Sequence, residues 1–317
     1  MKEKTDRSLQ KGMIQMDGQG EVNYLEKMIS GRWTSGPTLA EDPFAGEESP
    51  YIELTNDLLF HMVFTKNDKA LKDLLSVLLG IPAAGIRRIE ILNPMQYNDS
   101  IQTKRTILDL KVHLNQDSFI LVEVQVRDFR FWTNRTLIYA CRQIDEQTKG
   151  KEAYEKLQPV IQISIMKHPL FPNRRKFYTE YRIQDDEGQV LTDKMRFYVL
   201  DLSAVESADE ADREQGLVQW AQAFNAQDWN AFKEIDRNGI REAANTMAMI
   251  MMNPTERQLL WDRKLALMDY NTEMISARMT GMEEGKINIA RKMKSRGMSN
   301  DVIAQITELS EEEISKL

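Results

Sequence analysis

From residue 107 the chain alternates between apolar and polar positions. In "ILDLKVHLNQDSFILVEVQV" (107–126), Leu108, Leu110, Val112 and Leu114 fall on one face of an extended segment. Ile120, Val122, Val124 and Val126 do the same on the next. Opposed residues of an antiparallel pair share a face, so these even-numbered sets must pair with each other, which requires an odd-length loop such as 115–117. The same register gathers Asp109, Glu123 and Gln125 on the opposite face. Apolar burial alone therefore brings two acids together.

Upstream, "TNDLLFHMVFTKNDKALKDLLSVLLG" carries apolar residues at helical spacing. Thr55 or Asn56 can cap its start, a break at 66–68 divides it into two helices, and Gly80 stops the second. "AGIRRIEILNP" predicts a strand ended by Asn93 and Pro94. Residues 133–149 predict a helix closed by Gly150, and the nearly continuous apolar run "PVIQISIM" (159–166) predicts a buried strand. "RKFYTEYRIQD" and "MRFYVLDL" predict further strands around a "DDEGQ" turn. From Ser203 the pattern becomes helical. The last segment, "GMEEGKINIARKMKSRGMSNDVIAQITELSEEEISKL", predicts three short helices: Gly297 ends one, Ser299 caps the next, and Ser310 with Glu313 forms a capping box for the last.

These elements describe an α/β core with a helical C-terminal extension. The division expected is a loosely ordered polar tail over 1–50, a core over 51–202, a helical extension over 203–280 and a short helical segment over 281–317. The tail is rich in glycine, polar and charged residues. At 317 residues, with 42% hydrophobic and 29% charged content, the chain can bury a sizeable core. One cysteine, Cys141, excludes a disulfide framework or a cysteine-rich zinc site. His61, His113 and His168 lack the spacing of HExxH. With no apolar run long enough to span a bilayer and no signal-peptide pattern, a cytoplasmic protein is expected.

Net charge is −7, but residues 101–180 hold 14 Lys+Arg against 9 Asp+Glu, a local balance of +5. A polyanion partner fits that segment. Two carboxylates on one face can hold Mg²⁺ through hard oxygen ligands, and such an ion activates water and stabilises phosphoryl charge. A side chain two residues after the glutamate shares its strand face and can orient water. Lysine there would add positive charge; Gln125 can only hydrogen-bond. The pattern D-x(13)-E-x-Q is weak alone, and a solvated strand face explains it as readily.

More specific are several motifs in order: "TNDLLFHMVF", "LLSVLLG", "ILDLKV", "VEVQV", "NRTLIYACRQIDEQTKGKEAYEKLQPVIQISIM" and "LTDKMRFYVLDL". Over roughly residues 51–202 they resemble the PD-(D/E)XK nuclease family of transposases and recombination-promoting nucleases, and residues 283–317 resemble the helical tail common in those proteins. The resemblance implies a restriction-endonuclease-like mixed β-sheet flanked by helices, and a Mg²⁺-dependent DNA endonuclease. Position by position, it makes Asp109 the metal-binding aspartate and Glu123 the acid of the (D/E)XK half-motif. Gln125 stands where that motif has lysine, and Asp57 in "TNDLLF" matches an acid that completes the site. His61 stands where the family often has a basic residue.

Other residues have a bland reading beside the functional one. Lys104 and Arg105, ahead of the acidic strand, are candidate DNA contacts or a solvated loop. Arg135 can bind phosphate or pack over Tyr139. Cys141 is expected as a small buried hydrophobe, His113 as structural, and the methionines of "NTMAMIMMNP" as core filler. Lys286, Arg291, Lys292, Lys294 and Arg296 precede two short helices in the manner of a helix-turn-helix. Because "NDVIAQITE" carries no arginine or lysine, a solvated bundle or an oligomerisation element is the favoured reading. DNA is the expected partner, with RNA as the alternative substrate; a homo-oligomer is compatible with all of this. The competing function is a non-catalytic nucleic-acid-binding or protein-interaction module that keeps the nuclease fold.

Overall fold

The computed structural model describes residues 52–92, 109–126, 131–148 and 154–317. The N-terminal tail, Asn93, Pro94, Lys104, Arg105, Leu108 and Gly150 lie outside the described residues. The chain divides into two compact units, one holding the described residues up to Met252 and the other those from Asn253 onward.

In the first unit, Asn56 starts helix α1 (Asp57–Lys66) by accepting a hydrogen bond from the Leu59 amide. Asn67 then serves twice: it ends α1 and caps α2 (Asp68–Leu79) by accepting from Lys69 and Ala70. The predicted break is thus a single asparagine in extended conformation. Gly80, at φ 64°, closes α2 in the left-handed region that favours glycine. Strands β1 (Ile89–Ile91), β2 (Leu110–Leu114) and β3 (Ser118–Gln125) form an antiparallel meander. Helix α3 (Trp132–Thr148) then crosses to β4 (Val160–Met166), which lies parallel to β3. The sheet is completed by β5 (Tyr178–Gln184) and β6 (Val190–Asp201), in the order β1-β2-β3-β4-β6-β5. β6 runs parallel to β4 and antiparallel to β5.

The register of the central hairpin follows from burial. Leu110 faces Val122, Val112 faces Ile120, and Leu114 faces Ser118 across a three-residue loop, with Asn115 and Gln116 at positive φ. Leu110, Val112, Ile120, Val122, Ile163 and Ile165 are fully buried on the apolar face. The opposite face carries Glu123 and Gln125 at one end and Leu121, Val160 and Met195 further along, and α3 packs there through Ala140 with Ile144 beside it.

Helices α4 (Glu210–Gln215), α5 (Leu217–Asn225), α6 (Trp229–Lys233) and α7 (Asn238–Met252) follow the sheet. An aromatic cluster joins α1 to α5: Phe60 lies 4.7 Å from Phe64 and 6.1 Å from Phe224, and Phe64 lies 5.8 Å from Trp220. Asp73 of α2 accepts the Trp220 indole N–H at 2.9 Å and two bonds from the Arg237 guanidinium at 2.6 and 2.9 Å. Gly239 leaves the room that this carboxylate needs, since a Cβ there would collide with the Asp73 side chain. In α7, Met247 and Met251 fill the core as expected, whereas Met249 is exposed.

Two expectations need correction. Cys141 is exposed, because α3 buries Trp132, Thr136, Ala140 and Gln143, and one residue beyond Ala140 turns about 100° toward solvent. The first of the three C-terminal helices is not short. In the second unit it is the end of α8 (Pro254–Ser295), which runs unbroken through Gly281 and Gly285. Isolated glycines cost about 1 kcal/mol each against alanine, and the flanking Glu, Lys, Ala and Met residues favour helix. Asn253 caps α8 with Pro254 in its first turn, and Gly297, at φ 79°, follows its end. α9 (Asn300–Thr307) and α10 (Glu311–Ser315) pack with the end of α8 around Ala290, Met293, Ile303 and Ile314. Ser310 and Glu313 form the expected capping box; Ser299 occupies its cap position without a side-chain hydrogen bond.

Candidate active site

The residues that the sequence placed on one face meet at the open end of the β2–β3 hairpin. Extending the register one step beyond Leu110 and Val122 sets Asp109 opposite Glu123. The Asp109 carboxylate accepts the Val124 amide at 2.6 Å, which ties it across the strand pair. Its backbone carbonyl lies 2.6 Å from the His61 Nδ1, so α1 is pinned to the same corner. His61, buried, is therefore an anchor for the Asp109 backbone.

Arg135, in the first turn of α3, reaches down onto the acid face. Its Nη2 donates to the Glu123 Oε1 and, at 2.7 Å, to the Gln125 Oε1. Glu123 and Gln125 are both buried. The helix thus delivers a guanidinium to the glutamate and the glutamine together. Sequence spacing had offered Arg135 a phosphate or the Tyr139 ring, and did not anticipate this bridge.

The electrostatics follow from that enclosure. Burial pushes the Asp109 carboxyl well above the usual carboxylate range, and the Val124 amide pulls it back. The negative charges of Asp57 and Glu123 push it up again, against the Arg135 cation. Burial likewise raises the Glu123 carboxyl, with the charge and hydrogen bond of Arg135 opposing it. Asp57, at the start of α1, is thus near enough for its charge to act on Asp109. Asp109, Glu123, Gln125 and Arg135 meet, and Asp57 is linked to them through its charge on Asp109.

Behind them the acid face stays polar. The Glu123 Oε2 is buried without a hydrogen-bond partner, as are the Ser164 Oγ, which is in register with Glu123, and both amide atoms of Gln162. His113 plays the structural part expected of it, stacked at 4.5 Å on Phe119 with its Nε2 2.8 Å from the Gln158 Oε1.

Among the described residues, no group of three or more His, Cys, Asp or Glu is arranged to hold a metal ion. The donor set is a carboxylate pair with a third acid near in charge. It fits a hard divalent cation in two respects: one buried carboxylate oxygen of Glu123 has no partner, and the negative charges of Asp57 and Glu123 act on Asp109.

The model for the PD-(D/E)XK nuclease family transposases matches residues 54–277, more than two thirds of the chain. The chain belongs to this family. Its mixed six-stranded sheet, flanked by helices, is a restriction-endonuclease-like fold. Residues 283–317 match the C-terminal HTH domain of the Rpn/YhgA-like nuclease family. The final helices are thus similar to an HTH domain, the reading that the lack of basic residues in "NDVIAQITE" had placed behind a solvated bundle or an oligomerisation element. Comparisons with curated proteins and with solved structures each find no match. Among the described residues no helix is long and apolar enough to cross a membrane.

Proposed function

We propose that this PD-(D/E)XK protein is a DNA endonuclease that hydrolyses phosphodiester bonds with the aid of a divalent cation, Mg²⁺ in the cell. The observation that carries the reading is the convergence of Asp109 and Glu123 on one sheet face, with an unpartnered buried oxygen on Glu123. Those two carboxylates would hold the ion, and Asp57 would add negative charge beside them. Held there, such an ion would supply an activated water and would neutralise charge on the phosphoryl oxygens. Gln125, two residues beyond Glu123 on the same face, orients water by hydrogen bonding. Arg135 holds Glu123 and Gln125 in place and supplies the positive charge that a lysine at position 125 would have given. Lys104 and Arg105, outside the described residues, are assigned to the DNA backbone on their charge and position in the sequence.

The test is relaxation of supercoiled plasmid by wild type, Asp109→Ala and Glu123→Ala, with Mg²⁺ and with EDTA. The proposal expects cleavage only by wild type with Mg²⁺. Cleavage surviving both substitutions would overturn the site. A second reading, a DNA-binding module without catalysis, is favoured by one observation: Arg135 already occupies one oxygen of Glu123. It expects salt-sensitive binding by all three proteins and no cleavage by any.

A further inference from the structure

The middle of α8 exposes apolar side chains in a regular pattern. Its buried residues, Glu256, Leu260, Ala290 and Met293, all lie near its two ends. Between them Trp261, Leu265, Met268, Ile275, Met279, Met282 and Ile289 are all exposed. With Thr272 and Lys286 these positions advance by alternating steps of four and three, a 3.5-residue repeat sustained over four heptads. A straight helix that only faces water has no reason to keep such a seam, and a strict seven-residue repeat is the pattern by which helices supercoil left-handedly around a partner. In heptad terms Trp261, Met268, Ile275, Met282 and Ile289 are d positions, and Leu265, Thr272, Met279 and Lys286 are a positions.

The flanking charges say which partner. The g positions before the seam carry Lys264 and Arg278, and the e positions after it carry Asp262, Asp269 and Glu283. In a parallel, in-register pair, g of one helix meets the following e of the other. Lys264 then faces Asp269 and Arg278 faces Glu283, twice over by symmetry. In an antiparallel pair, g meets g and e meets e, which sets cation against cation and acid against acid. The complementarity is with the helix's own sequence. Lys286, a charged a position, pairs with Glu308 at 2.6 Å within its own unit, so the apolar seam is strongest from Trp261 to Met282, about 32 Å of helix.

We infer that α8 is a parallel, in-register coiled-coil interface between two copies of this chain. The full-length protein should run in multi-angle light scattering at twice its 36.8 kDa mass at micromolar concentration. Met268→Asp with Ile275→Asp should shift it to monomer. A double change at g, Lys264→Glu with Arg278→Glu, should raise the dimer dissociation constant at least tenfold. Adding Asp269→Lys and Glu283→Lys should restore it. This rescue distinguishes a lost interface from lost folding.

For orientation, Met282→Cys in a Cys141→Ser background should cross-link to itself under mild oxidation, as an in-register pair requires. A monomeric wild type, with the seam covered by another part of its own chain, overturns the inference. So does a dimer that survives the two aspartates. Failure of Met282→Cys to cross-link in a dimer overturns the parallel arrangement.

Discussion

Replacing Arg135 with methionine keeps the aliphatic stem and removes the guanidinium that bridges Glu123 and Gln125. Two bonds are lost. Both are donated by a cation and so are charge-assisted, the one to Glu123 worth about 1.5–3 kcal/mol and the one to the Gln125 amide about the low end of that range. The remaining cost is an uncompensated buried carboxylate. Breaking a fully buried pair costs about 3–5 kcal/mol, but the Arg135 side chain retains 25% exposure, which screens the pair. A loss of about 2–3 kcal/mol at pH 8 results, or roughly 1 M in the urea midpoint.

The sign of the pH dependence is fixed. Glu123 already has a folded pKa above its unfolded one, so ionising it costs stability as pH rises. Without Arg135 that folded pKa rises further and the cost grows. The penalty of Arg135→Met should therefore be largest at pH 8 and shrink as the pH falls through the folded pKa of Glu123 and the carboxyl takes up its proton. Urea unfolding followed by tryptophan fluorescence at several pH values measures it. A penalty independent of pH would refute the idea that the guanidinium compensates an ionised glutamate.

Asp109→Asn should stabilise the fold at neutral pH while abolishing cleavage. It removes a carboxyl whose charged form is disfavoured by burial, and its amide oxygen can still accept the Val124 N–H. A thermal melt that moves down instead would contradict the electrostatic account. Asp73→Ala strips three hydrogen bonds from Trp220 and Arg237 and should cost about 3 kcal/mol in urea unfolding, with no selective loss of DNA binding. Asn56→Ala, which removes the cap of α1, should cost about 1 kcal/mol by the same measurement. Cys141 in the native protein should react with a thiol reagent about as fast as an unfolded-chain cysteine; slow native labelling would contradict its exposure.

The hairpin was legible because period-2 alternation leaves one register that buries both apolar sets, and that register alone brought Asp109 to Glu123. The asparagine break at position 67, Gly80 and the Ser310 box were legible because caps are local chemistry. Arg135 was harder. Its contact spans the chain segment between a strand and a helix, and nothing in i,i+4 spacing encodes it.

The polar character of β4 was present in "VIQISIM" as Gln162 and Ser164 at a period of two. The isoleucines between them made the strand read as buried, which it is, with Gln162 and Ser164 fully buried as well. The exposure of Cys141 turned on one residue of helical phase. The length of α8 was hidden by Gly281 and Gly285, which signal a stop only when no strong helix formers surround them.

The claim that matters most is that Asp109 and Glu123 together hold one divalent cation. Calorimetric titration of Mn²⁺ into wild type, Asp109→Asn and Glu123→Gln tests it without recourse to DNA. The account predicts one saturable site in the wild type that disappears in both variants while their folds remain intact. An equal site in all three proteins, or none in the wild type, would contradict it.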